Sequence, residues 1–269
     1  MKDRAFRFAP QVWLAPAGAD WAGLARALED LGYDALAMPD QMRGRGWAPM
    51  LTLAAAAAAT TRLRLSTLVL NNDLRNPVLL AREVATLDVL SNGHYELGLG
   101  AGWSRRDYFA AGIPFDRGGV RVARLAEAVR LIKRLLNEES VTMDGDNYRG
   151  RRRRLWPNAR PAARPGSPRG RRAADPRACR SRSRHCGDRS LGRGKGPLTV
   201  DAVSFARVRA QIAWVRASAG PRFSDVELST FIDVVVTDDR DATILELART
   251  SEMDPAVLRN SVFMGDRRP

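Results

Sequence analysis

Cysteine is almost missing from this chain: Cys179 and Cys186 are the only two in 269 residues. Two cysteines cannot build a disulfide framework, and although His185 stands beside Cys186, the spacing fits no zinc-ligand pattern, so no metal is expected. Long hydrophobic runs are also absent. No stretch approaches about 18 apolar residues, which excludes a membrane-spanning helix on hydropathy grounds. Met1 to Pro16 lacks the extended apolar centre of a signal peptide, so a cytoplasmic protein with no membrane partner is expected. There is no GxSxG elbow, no HExxH pair and no calcium loop, which leaves hydrolysis, zinc chemistry and kinase action without support. Two near-motifs fail on inspection. Gly98 to Trp103 (GLGAGW) carries Trp103 where a dinucleotide fingerprint needs its third glycine, and Gly187 to Gly192 has P-loop spacing but is followed by Arg193 instead of lysine.

Balanced charge is missing too, yet only locally. The formal net charge is +14. The segment from Arg151 to Gly196 holds sixteen of the 44 basic side chains and two of the 30 acidic ones, and the remaining 28 of each sign cancel. The basicity therefore belongs to one stretch. It says nothing about the rest of the chain, and any electrostatic partner has to be argued for that stretch alone.

What is present in residues 6–150 is alternation. Phe6 to Leu14 is strand-like, and Trp21 to Leu31 sets Leu24, Leu28 and Leu31 on one helical face before Gly32. Tyr33 to Met38 is a short apolar strand running into Pro39-Asp40-Gln41, and Pro49 to Thr60 is an alanine-rich helix with proline in its first turn. Leu63 to Leu70 is a third strand with Asn71-Asn72-Asp73 as its exit, followed by a helix over Pro77 to Leu90. His94 to Trp103 (HYELGLGAGW) is a fourth strand that dissolves into glycines, and Arg121 to Leu136 is a long amphipathic helix. Strands that are apolar on both faces and alternate with helices imply a parallel sheet covered by helices, either open and doubly wound or closed as a barrel. In both folds functional groups gather where strands end and helices begin. Those places are Asp40 and Gln41, Asn71 to Asp73, and Gly98 to Trp103.

The stretches GYDALAMPD, STLVLNNDLRNPVLLAREVATLDVLSNGHYELGLGAGW and YFAAGIPFDRGGVRVARLAEAVRLIKRLL resemble the bacterial luciferase-like monooxygenase superfamily, in particular its deazaflavin F420-dependent oxidoreductases. The resemblance runs over roughly residues 6–150 and resumes from about Leu198 to Gly265. It implies an α/β TIM barrel of (β/α)8 ancestry, with a flavin or deazaflavin ring at the C-terminal ends of the strands. Asp40 matches the acidic residue near the deazaflavin ring, while Gln41 falls where several relatives carry a histidine used in proton transfer, leaving the catalytic residue unassigned. The resemblance further implies a non-prolyl cis peptide at Leu68-Val69 behind the ring, with Thr67 and Asn71 alongside, and places Gly100, Gly102 and Trp103 on the cofactor-facing end of strand four. The cofactor implied is F420, with FMN as the alternative, and the chemistry is hydride exchange with a small organic substrate; bound FMN would make it a monooxygenase. A homodimer is the assembly compatible with this reading.

The match breaks between Arg151 and Gly196. Relatives supply strand five, a phosphate-binding loop and strand six there, whereas this segment is Arg, Pro, Gly, Ala and Ser with almost no aliphatic residues. Such bias is what a GC-rich gene yields when translated out of frame. PRACRSRSRHCGDRSL (Pro176 to Leu191) admits a coding whose +1 reading is LARAAREADIVGIAAL, a strand-like sequence, which points to compensating frameshifts near Arg149 and Gly192. Beyond it, Val203 to Ala219 reads as helix, Val226 to Val236 as strand seven and Asp241 to Arg249 as helix, with Val262 to Gly265 opening the segment that leads to strand eight in relatives. The expectation is one incomplete barrel domain over residues 1–269, frameshifted in the middle and truncated at the C-terminus, with strands five, six and eight missing or scrambled. Two other readings stay open. One is a non-enzymatic Arg-rich protein binding nucleic acid, disfavoured because Trp156 is the only aromatic of the segment. The other is a degenerate product without function.

Overall fold

The computed structural model describes residues 6–42, 46–153, 205–230, 233–251 and 254–265. The chain divides into two compact units, Met1–Ser190 and Leu191–Pro269.

In the first unit the expected alternation of strand and helix is built. Helix α1 (Trp21–Asp30) is capped by the Asp20 side chain, strand β1 (Ala35–Met38) is buried along its whole length, and helix α2 (Pro49–Ala59) opens on proline. The third stave is split into β2 (Arg64–Thr67) and β3 (Leu70–Asn71), and the fourth into β4 (Tyr95–Glu96) and β5 (Leu99–Gly100). Between staves three and four lies α3 (Pro77–Leu90), whose N-cap Asn76 accepts from the Val78 and Leu79 amides. All these strands are parallel, in the order β1-β2-β4, with β3 pairing β5 in continuation. The segment read as strand one is not a regular strand. It lies parallel to β1 through a single bridge, Gln11 to Ala37, with Val12 N–H donating to the Ala37 carbonyl at 2.9 Å.

The core forms where the sheet meets the helices. Leu28 of α1, Leu53 and Ala56 of α2, Leu80, Ala81 and Val84 of α3, and Leu125 and Ile132 of the long helix close over Leu36, Met38, Leu65 and Leu99. That long helix, α5 (Gly118–Asn137), follows a short one, α4 (Arg105–Ala110), that has no counterpart in the periodicity of the sequence. It leads into an antiparallel hairpin, β6 (Ser140–Asp144) and β7 (Arg149–Arg153). Glu127 of α5 pins the hairpin turn, accepting from the backbone amides of Asn147 and Tyr148. Three parallel staves packed by helices, with the Gln11 bridge beside β1, fit part of a TIM barrel, in which functional groups gather at the C-terminal ends of the strands, so the C-terminal edge of β1, β3 and β5 is the face to search for chemistry. The region assigned to strands five and six lies outside the described residues from position 154 onward.

The second unit contains α6 (Phe205–Ala219), β8 (Asp233–Val236), α7 (Arg240–Ser251), α8 (Pro255–Ser261) and β9 (Val262–Gly265). Strands β8 and β9 pair in parallel, Val234 opposite Phe263. Of the described residues in the expected strand over Val226 to Val236, the last four are strand. Residues 220–225 coil as a 3-10 turn, and the run before β8 finds no ladder partner among the described residues. Among the described residues, no helix is long and apolar enough to cross a membrane.

Candidate functional site

The site grows out of the break in stave three. The Leu68-Val69 peptide is cis, although neither residue is proline. Leu68 N–H still donates to the Met38 carbonyl at 2.7 Å, and its own carbonyl accepts from Gln11 Nε2 at 3.1 Å. Two residues later Leu70 N–H donates to the Gly98 carbonyl at 2.9 Å. The stave thus remains anchored on both sides of a bulge, and Leu68 and Val69 sit half-exposed at its crest.

Thr67 holds the bulge from behind. Its side chain is fully buried; the hydroxyl donates to the Gly98 carbonyl at 3.0 Å and accepts from the Gly98 amide at 2.9 Å. Such closeness explains the glycines of stave four. A Cβ on Gly98 would fall inside the Thr67 carbonyl oxygen, and one on Gly100 would come within 2.7 Å of Val69 Cγ2. Gly102 turns at φ +72°, and a Cβ there would meet the Asn71 amide at 2.6–2.8 Å and collide with the Tyr108 hydroxyl. The close approach that the glycines serve is therefore made within the protein, between neighbouring staves.

Asp40, at the exit of β1, spans the gap to stave three. Its carboxylate accepts from the Asn71 amide at 2.9 Å and from both terminal nitrogens of Arg75, one at 3.1 Å. Asn71 is itself buried, its side-chain oxygen capping the 3-10 turn over Asn72–Leu74 through the Asp73 amide. Asp40, Leu68, Val69, Asn71, Gly100 and Gly102 are accordingly gathered on one edge, with Thr67 underneath as a fastener. Trp103 follows Gly102 and is half-buried. Gln41 is half-buried beside Asp40.

Several residues of this edge had not been singled out from the sequence. Tyr108 of α4 is completely buried, with its hydroxyl 2.9 Å from Asp73 Oδ2 and 3.1 Å from the Ala101 carbonyl. Burial first, and then the neighbouring Asp73 carboxylate, push this phenol up to about 12. Arg124 bridges Asp73 at 2.7 Å and Asp116 at 2.5 Å. Arg121 is buried against the Ala101 and Gly102 carbonyls and lies 4.2 Å from the centre of the Phe115 ring. Polarity at Asn71 to Asp73 was visible in the sequence, but pairings across 19 to 51 residues leave no local signal. Outside these residues opens a cleft of about 490 Å³, walled by Asn72, Asp73, Arg75, Asp116, Arg124 and Tyr148. Its charges are already matched, Arg75 with Asp40 and Arg124 with the two other carboxylates.

The arrangement offers a half-exposed apolar crest, an anchored carboxylate and an indole at the C-terminal edge of a parallel sheet. Comparison with known proteins finds relatives over the same residues. F420-dependent glucose-6-phosphate dehydrogenase of Kineococcus radiotolerans is 38% identical over 134 residues, 47% of this chain and 40% of that protein. The enzyme of the same name from Intrasporangium calvum is 40% identical over 130 residues, 45% of this chain and 39% of its own length. The chain thus spans about two-fifths of these curated relatives. Among solved structures, a monooxygenase from Streptomyces bottropensis superposes with a TM-score of 0.65 at 21% identity, over 96% of this chain and 80% of that one. An F420-dependent secondary alcohol dehydrogenase does so with 0.64 at 17% identity, over 91% and 80%. The model of the luciferase-like monooxygenase family matches residues 6–265, almost the whole chain, and the chain belongs to that family.

Proposed function

We propose that this chain is a deazaflavin- or flavin-dependent oxidoreductase acting in the cytoplasm on a small organic substrate, with F420 the preferred cofactor and FMN the alternative. The observation that carries the reading is the half-exposed apolar crest of Leu68 and Val69, flanked by the anchored carboxylate of Asp40. The names of the dehydrogenases matched over 134 and 130 residues favour F420. The residues present fit the ring of either cofactor: Leu68 and Val69 are apolar, Gly100 leaves the neighbouring stave low, and Trp103 borders the same edge.

When bound, such a cofactor supplies hydride transfer at its ring. The chain's part is placement. Leu68 and Val69 would exclude water from one ring face, and Asp40 would present a carboxylate whose direction is set by Asn71 and Arg75. Gln41 replaces the histidine expected from the family resemblance, so proton movement at that point needs another donor.

Fluorescence titration with F420 and, separately, with FMN tests the reading. Saturable quenching by F420, weakened about tenfold in Asp40→Asn, is the expected result. Absence of a saturable signal with either cofactor up to about 1 mM overturns it.

A further inference from the structure

The exit of stave four has a backbone geometry that a strand alone does not produce. In an extended strand successive carbonyls point to opposite sides. Here the carbonyls of Ala101 and Gly102 converge on one nitrogen, Arg121 Nη1, with the Ala101 oxygen at 3.2 Å. The positive φ of Gly102 turns the second carbonyl round to meet it. From the other side of the same guanidinium, Nε donates to the Asp116 carbonyl at 3.0 Å. The Phe115 and Tyr108 ring centres lie 4.2 and 5.8 Å from its central carbon.

Arg121 is only 6% exposed, yet among the described residues no carboxylate pairs with it. Among the described residues, backbone carbonyls and ring faces are what its guanidinium meets. A buried cation without a counter-charge is a poor device for stability, since an apolar side chain of similar volume usually serves as well or better. What an apolar side chain cannot do is hold two carbonyls on one side of the chain. A guanidinium fork can, and a lysine ammonium, a point charge on a flexible stem, holds them less well.

We propose that Arg121 is a positioning residue of the ring site, holding the Ala101 and Gly102 carbonyls so that Trp103 leaves stave four along the cofactor-facing edge. Its importance for cofactor binding rests on the function proposed above, whereas its action on Trp103 does not. Arg121 reaches back from the first turns of α5, so the helix that closes the fourth βα unit also sets the direction of that unit's strand exit. Tyr108 adds a second grip on the Ala101 carbonyl, and Gly102 has no room to drift because Asn71 and Tyr108 press on it.

The test uses the full chain labelled with 5-fluorotryptophan, with the Trp103 resonance assigned by its loss in Trp103→Phe. In Arg121→Met the Trp103 fluorine signal is expected to shift or broaden while those of Trp21 and Trp47, which pack edge to face at 5.7 Å, stay in place. Arg121→Lys is expected to lie between wild type and Arg121→Met, and it stands in should the methionine variant not fold. In the same samples F420 affinity is expected to fall about tenfold in the methionine variant and less in the lysine variant. An unmoved Trp103 signal in a folded variant overturns the proposal whatever the cofactor does. A global loss of dispersion that includes Trp21 and Trp47, in the lysine variant as well, overturns it too, by showing that Arg121 supports the fold at large. If wild type binds neither F420 nor FMN, the proposed function falls, and the Trp103 signal still decides the role of Arg121.

Discussion

Glu96 sits near the opposite end of stave four from the candidate site and gathers two cations. Arg7 donates to both of its oxygens at 3.0 and 2.9 Å, and Arg64 adds a third contact. Burial works against its charge, but the two guanidiniums overcome that and hold the carboxyl below the usual glutamate value of 4.5. A group whose value is depressed in the fold stabilises fully above the unfolded value, and that contribution drains away as the pH falls through the folded one. Urea unfolding should therefore be flat in pH above about 4.5 as far as Glu96 is concerned, and weaken below it. Glu96→Gln should lose roughly 2–3 kcal/mol at pH 7, because two half-buried guanidiniums lose the carboxylate charge they share, and its stability should depend less on pH in the acid range. A variant as stable as wild type at pH 7 would show that the cluster carries no net stabilisation.

Among elements, the pairing of the two broken staves is the least tolerant of change. Gly98→Ala would drive a methyl group into the Thr67 carbonyl, where only backbone movement can relieve it, so a loss of about 3 kcal/mol or more is expected from chemical denaturation. Gly119→Ala in the first turn of α5 meets nothing within 4 Å and should be neutral or stabilising by about 0.5–1 kcal/mol. Equal effects of the two would refute the packing argument. The same contrast explains what could be read from sequence. Helices α1 and α5 show a helical period, α2 and α3 open on proline with runs of good helix formers, and each was legible to within a few residues. The bulge was not legible from the pattern, since LRLSTLVL alternates as one unbroken strand, and only the family resemblance pointed to Leu68-Val69. Helix α4 is six residues, too short to show a helical period, and β7 is mostly arginine, with no apolar alternation to mark a strand. In the site, Asp40, Asn71 and the glycines were visible as strand exits. Arg75, Tyr108, Arg121 and Arg124 were not, because folding alone brings them there from other elements.

For the whole molecule, the composition of the middle stretch and the length of the matches point the same way. The family model extends from residue 6 to 265, whereas the curated relatives align over only 134 and 130 residues. Two compensating shifts of reading frame, near Arg149 and Gly192, would produce that pattern. The coding DNA decides the matter: its +1 reading between those points should contain an apolar strand, and a reading without one refutes the idea. The proposed ring site lies entirely in residues 6–150, so such an event would leave it in place while altering the part that the family resemblance assigns to phosphate binding. This gives the glycines of stave four a second meaning. Gly98, Gly100 and Gly102 are required by Thr67, Val69, Asn71 and Tyr108, all of them neighbours within the fold. A lineage that had given up its cofactor would still be selected to keep all three for as long as the domain had to fold, and they would outlast the chemistry.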